Sequence, residues 1–257
     1  MVSESHPGLL PYNRVPDWLR TLSEGEGHFS TILRESELDS VDGYRHTIRE
    51  ICQQPATWLE TVCCMNGFRA QVEQSLQGCE RIVLTGSGSS QYAGECVAPA
   101  LRKDLRLPVE VQGGGALLLG ASASVAGEPT LVVSLARSGE SPESAAVVQR
   151  LLEAEPRTNH LILTCNSRGR LAREFAKNAR VRVVSLSEDV HDRSLVMTSS
   201  FTNLALSARF LGWLDRPEEF ATLAGRLDFR RNECPLFERV RHDASDWHRW
   251  RDRAPQN

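Results

Sequence analysis

The sequence predicts an α/β protein built on a doubly wound parallel sheet, and three observations lead there. Five short runs rich in β-branched residues, at 81–85, 109–112, 130–135, 160–164 and 181–186, are almost continuously apolar, as strands covered on both faces are. Stretches with helical periodicity lie between or after them, at 91–101, 142–153, 169–178 and 198–214. Strand and helix alternating at this spacing imply right-handed crossovers and one shared core.

The elements follow in order. Residues 1–43 are rich in Pro, Gly, Ser and charge and read as an N-terminal surface segment. Residues 44–77 carry Ile48, Ile51, Cys52, Trp58, Leu59, Val62 and Cys63 at intervals near three and four, which predicts one or two helices broken at Pro55. The strand "RIVLT" then runs into "TGSGSSQYAG", residues 85–94. The segment 113–128, "GGGALLLGASASVAGE", suits a short helix and a loop equally. "TLVVSL" breaks into Arg137, Ser138, Gly139, Glu140 and Ser141 before the helix that opens at Pro142. "HLILT" runs into "CNSRGRLA", and "VRVVSL" into the acid- and base-rich "SEDVHDRSLVMTSS". Beyond residue 214 an amphipathic helix near 218–227 precedes a polar tail, giving a 215–257 segment too small for a second α/β domain.

Composition narrows the function classes. The 257 residues are 40% hydrophobic and 25% charged, enough for one sizeable core, and a net charge of −3 offers no large basic field for nucleic acid or an anionic membrane. No run of apolar residues reaches membrane-spanning length, and the N-terminus lacks the order of a signal peptide. The seven cysteines show no CxxC spacing and read as reduced packing residues of a cytoplasmic protein. The histidines at 6, 28, 46, 160, 242 and 248 are scattered without metal-ligand spacing, so no metal is expected.

Ligands of open parallel sheets sit at the carboxyl ends of the strands, where loops lead into helix N-termini. In "TGSGSS", Gly88 lets the chain turn tightly, and Ser89 and Ser90 stand beside the first N–H groups of a helix. Ser138 and Ser141 present the same chemistry after the third strand, with Gly139 between them. Two such turns suit one phosphate, and Arg137 adds a charge. Ser89 and Ser141 are alternatively plain N-caps, Arg137 a solvated loop residue and Glu140 a partner of the helix dipole. "TGSGSS" is no dinucleotide fingerprint, because Gln91 stands where GxGxxG needs glycine, and no GK[ST] follows to make a P-loop. A phosphate monoester with no cofactor is the expected ligand. His191 among Glu188, Asp189 and Asp192 suits proton transfer, or else an exposed loop.

"TGSGSS", "SLARSGESPES", "LTCNSRGRLA" and "DRSLVMTSSFTNLAL", in this order and spacing, resemble the sugar isomerase (SIS) domain, and most closely its tagatose-6-phosphate ketose/aldose isomerase branch, also described as galactosamine-6-phosphate deaminase/isomerases. "TIREICQQPATW" is similar to the helical lead-in of that branch. The resemblance implies a flavodoxin-like three-layer α/β/α sandwich with a five-stranded parallel sheet, a SIS domain with its lead-in over 44–214, and a homodimer. It implies phosphate binding by Ser90, Ser138 and Ser141, compact loops at Gly88 and Gly139, and Thr198, Ser199 and Ser200 near the sugar. Members of that branch carry two such domains, and the second is absent from this sequence. Enolisation within this chain would then fall to Glu140, Glu188 or His191. Three readings stay open: an isomerase or deaminase of hexose or hexosamine 6-phosphates, a non-catalytic phosphosugar-binding module, and an isomerase truncated before its second domain.

Overall fold

The structure, a computed structural model, describes residues 14–38, 42–125 and 127–225. Its centre is a five-stranded, all-parallel sheet of β1 (Arg81–Gly86), β2 (Val109–Gly113), β3 (Thr130–Ala136), β4 (Thr158–Thr164) and β5 (Val181–Ser185), in the order β2-β1-β3-β4-β5. The continuous apolar runs divide by period two. Ile82, Leu84, Leu131, Val133, Leu161 and Leu163 enter the larger core, whereas Val83, Val132 and Ile162 enter two smaller cores. The larger core lies under α4 (Gln54–Gly67), α5 (Arg69–Leu76), α6 (Ser89–Leu105), α10 (Ser199–Arg209) and α11 (Pro217–Gly225). The smaller ones lie under α7 (Gly114–Val125), α8 (Pro142–Ala154) and α9 (Arg170–Phe175). This is the α/β/α sandwich that the sequence predicts.

Ahead of the sheet, α1 (Arg14–Glu24), α2 (His28–Leu38) and α3 (Asp42–Cys52) bring Val15, Trp18, Leu19, Leu22 and Leu33 against Cys52 and Ala56. The first two helices fall within the stretch expected to cover the surface. Their short apolar pattern, Val15-Trp18-Leu19-Leu22, is framed by charge and escapes a reading by composition. The segment 113–128, left undecided above, contains α7, bent at Gly120. The amphipathic helix expected near 218–227 is α11; residues 226–257, which hold the rest of the polar tail, lie outside the described residues.

The contact between α4 and α10 is a buried polar seam. Asn203 donates through Nδ2 to Thr57 Oγ1 (2.9 Å) and accepts at Oδ1 from Thr61 Oγ1 (2.7 Å). Gln53 Nε2 donates to the Asp189 carbonyl at 2.5 Å. Buried polar groups persist when each finds a partner, and these partners come from helices distant in sequence.

His160, on β4, is fully buried, and among the described residues its Nδ1 has no hydrogen-bond partner. Burial, with a smaller contribution from the Arg180 charge, lowers its pKa to about 3. The native state therefore holds this imidazole neutral, while the unfolded chain takes up a proton below its ordinary pKa of 6.5. Stability is full above that pH and falls as pH drops, by about 1.4 kcal/mol per pH unit once the unfolded histidine is protonated. Urea titrations of wild type and His160→Gln between pH 7 and 5 are expected to show the wild type alone losing this increment.

Candidate functional site

The switch point of the sheet lies between β1 and β3. These neighbours feed α6 on one face and α8 on the other, opening a crevice at their carboxyl ends. Gly88, at φ 58° and ψ −128°, turns the chain from β1 into α6, a conformation costly for any residue with a Cβ. Among the described residues no side chain caps α6. The N–H groups of Gln91 and Tyr92 both bond Gly88 O, so the N–H groups of Ser89 and Ser90 head the helix. Ser89 is half-buried and Ser90 buried.

The turn after β3 is held from below. Asn166 Nδ2 donates to Ser138 O (2.9 Å) and Leu171 N to Gly139 O (2.9 Å), with Gly139 at φ 62°. Ser138 Oγ accepts the N–H of Glu140 (3.3 Å), and Ser141 Oγ caps α8 by accepting that of Ser144 (3.4 Å). A hydroxyl that accepts keeps its own proton to donate, so capping and anion binding are compatible at Ser138 and Ser141. The two turns meet where Ser87 Oγ donates to Glu143 Oε1 at 3.1 Å.

The segment after β5 is built differently, around two buried carboxylates. Asp192 accepts the N–H groups of Thr198 (2.8 Å), Ser199 (3.1 Å) and Ser200 (2.9 Å), together with the Ser200 hydroxyl. It therefore fills the N-terminus of α10. Glu50, from α3, accepts the N–H groups of Arg193 (2.6 Å) and Ser194 (3.1 Å) and the Ser194 hydroxyl. Arg137 reaches across from β3 and donates to Ser194 O at 3.3 Å.

The expected site residues divide accordingly. Gly88, Ser89, Ser90, Ser138, Gly139 and Ser141 line the two turns at the switch point. Arg137 stands beside them with one guanidinium N–H on the Ser194 carbonyl. Thr198 is half-buried, whereas Ser199 and Ser200 are fully buried, with Ser200 turned to Asp192 and Ser199 within 3.4 Å of Gln53 Nε2. Glu188 is exposed and paired with Arg168 (3.1 Å). His191 is half-buried; burial and then the Arg137 charge lower its pKa, against the opposing pull of Asp192, Glu188 and Glu50. Glu188, His191 and Arg137 thus share one electrostatic neighbourhood. Glu140 is exposed and, among the described residues, its carboxylate pairs with neither Glu188 nor His191.

Sequence reasoning passed over Glu50, Glu143 and the capping by Asp192. A signal for the first existed. Glu50, Gln53, Thr57 and Thr61 recur at helical spacing and are all buried, a polar stripe within an otherwise apolar lead-in. Among the described residues no three His, Cys, Asp or Glu side chains converge as a metal site.

Comparison with known proteins agrees with the fold. A D-galactosamine-6-phosphate deaminase AgaS of Shewanella sp. is 34% identical over 194 residues, which is 72% of this chain and 50% of that one. A Streptomyces coelicolor protein with the same, provisional name is 39% identical over 173 residues, 65% of this chain and 45% of its own. The chain thus spans about half the length of these relatives. The crystal structure of tagatose-6-phosphate ketose/aldose isomerase from Escherichia coli superposes with a TM-score of 0.65 at 28% identity, over 70% of this chain and 52% of that one. Residues 75–209 match the SIS domain, more than half of the chain and the whole run from β1 to α10, and the chain belongs to the SIS-domain family.

Proposed function

We propose that the chain binds a hexose or hexosamine 6-phosphate of the tagatose or galactosamine type in the β1/β3 crevice and acts on it as an aldose–ketose isomerase or deaminating isomerase. One observation carries this reading: among the described residues no side chain caps α6, whose turn is joined through Ser87 and Glu143 to the turn of Ser138 and Ser141, whereas the N-terminus of α10 is filled by Asp192. A phosphate dianion is best served where donors are not already spent on a carboxylate. Its oxygens would take the N–H groups of Ser89 and Ser90 and the hydroxyls of Ser90, Ser138 and Ser141, with Arg137 supplying charge. The sugar would extend toward the β5 side, where Thr198 to Ser200 begin α10.

Isomerisation moves a proton between C1 and C2 through an enediol, and deamination adds the loss of the C2 nitrogen. Either needs a base beside those carbons while the phosphate is clamped. Among Glu140, Glu188 and His191, the histidine is the best placed for that role, since its lowered pKa leaves a neutral imidazole at pH 7. Glu188 is tied to Arg168 at the surface, and Glu140 is exposed. Phosphosugar binding without turnover is the second reading, since of the three acid/base candidates His191 alone is neither exposed nor tied to a surface ion pair. We further propose a homodimer, in which a neighbour completes the site, and a cytoplasmic location, in keeping with free thiols at all six cysteines of the described residues.

A thermal-shift series is expected to show stabilisation by hexose and hexosamine 6-phosphates and none by the unphosphorylated sugars. Proton exchange at C2 of the best ligand in heavy water then separates enzyme from binding module: exchange supports the first, and its absence the second. If His191 is the base, the exchange rate declines as pH falls and the imidazole protonates, with a midpoint below 6.5, and His191→Gln abolishes that dependence. Ser138→Ala is expected to weaken phosphosugar binding by about 1–2 kcal/mol in calorimetry, through loss of a charge-assisted hydrogen bond. Unchanged affinity would remove Ser138 from the site. Light scattering at micromolar concentration tests the dimer, and a monomer mass would refute it.

A further inference from the structure

The segment 191–196 runs between the 3-10 turn Glu188–Val190 and α10 without regular structure, and apolar burial does not hold it in place. Leu195 is 95% exposed and Val196 59% exposed. What holds it is polar and centred on one buried residue, Ser194. Glu50 takes the Ser194 N–H and hydroxyl, as well as the preceding N–H of Arg193, while Arg137 takes the Ser194 carbonyl. Both faces of one residue's backbone are therefore gripped, from α3 on one side and from the end of β3 on the other. Val196 O, 2.8 Å from Ser194 Oγ, is the alternative acceptor for that single hydroxyl proton.

We propose that Glu50 is a positioning residue of the candidate site: together with Arg137 it clamps Ser194 and so fixes the 191–196 segment as the wall facing the sugar. The proposal rests on the reading of the crevice as a phosphosugar site, and it goes beyond that reading by assigning a role to a residue outside the matched domain. Among the described residues the hydrogen bonds of the Glu50 carboxylate go to Arg193 and Ser194 and not to the phosphate-binding turns, and the turn after β3 is held by its own bonds to Asn166 and Leu171. Removal of the Glu50 carboxylate leaves two buried N–H groups without an acceptor, and the segment that carries them is free to leave its position. The phosphate turns stay as they are. Glu50 thus acts on the sugar moiety and not on the phosphate, and this separates positioning from a general structural role.

The experiment compares the affinity of wild type, Glu50→Ala and Glu50→Gln for a hexose 6-phosphate with their affinity for inorganic phosphate. Glu50→Ala is expected to lose about tenfold in sugar-phosphate affinity, the scale of one buried charge-assisted hydrogen bond, and less than about twofold for inorganic phosphate. Glu50→Gln keeps an amide oxygen for the two N–H groups and is expected to recover part of the loss. Equal losses for both ligands, or no loss for either, overturn the proposal. If Glu50→Ala does not fold, Ser194→Ala removes the hydroxyl arm alone, and the same ratio of affinities is read from it. Hydrogen exchange tests the clamp without any ligand: the Arg193 and Ser194 amides exchange faster in Glu50→Ala than in wild type, while those of β3 and β4 do not change. Unchanged protection of the two amides overturns the clamp. A wild type that binds no sugar phosphate while its clamp amides are protected condemns the reading of the crevice and leaves the clamp standing.

Discussion

A carboxylate buried in a protein must find hydrogen-bond donors, and a run of buried backbone N–H groups must find acceptors. Asp192 and Glu50 meet both demands together for the stretch from Arg193 to Ser200. This pairing decides what the β5 side of the sheet can do. An external anion arriving at α10 would have to displace Asp192 and leave it buried beside another negative charge. Among the described residues no carboxylate takes the first N–H groups of α6; the nearby Glu143 carboxylate accepts the Ser87 hydroxyl instead and joins this turn to that of Ser138 and Ser141. The polarity proposed for the site, with anion at the switch point and carbon skeleton toward β5, rests on which helix ends the protein satisfies by itself.

The two turns proposed to bind phosphate owe their proximity to topology. β1 and β3 are adjacent, paired from Arg81 with Thr130 to Thr85 with Ser134, although residues 87–129 separate them in the chain. Their helices diverge to opposite faces, so each turn must bend away from the other, and glycines at positive φ, Gly88 and Gly139, carry these bends. Serine hydroxyls then stand in both turns, at the carboxyl ends of these two central strands.

The strands were legible because burial on both faces leaves a signature that no surface segment shares, and the four motif turns because serine and glycine cluster there without an apolar purpose. Helices α1 and α2 were hidden by the composition of the segment around them. Asp192 was visible as a charge but not as a cap, since it lies seven residues before the first residue of α10 and the usual N-cap stands next to it. Ser199 and Ser200 show the converse limit. A sequence places serines at a helix start, and only coordinates reveal that their polar groups face inward, to Asp192 and Gln53.

The domain also extends further back than its matched core. The SIS match begins at residue 75, yet Glu50, Gln53, Thr57 and Thr61 each bond residues between 189 and 203. A polar seam of this kind is specific in a way an apolar one is not. Sliding α4 against α10 by one residue would leave Asn203, Thr57 and Thr61 buried without partners, whereas leucines would repack. The register of the lead-in helices therefore sets the height at which Glu50 meets Ser194, and with it the position of the 191–196 segment over the strand ends. Residues 50–61 are in this sense part of the site's construction, and a shorter chain starting at residue 75 would keep the sheet's sequence while losing the groups that hold its β5 loop.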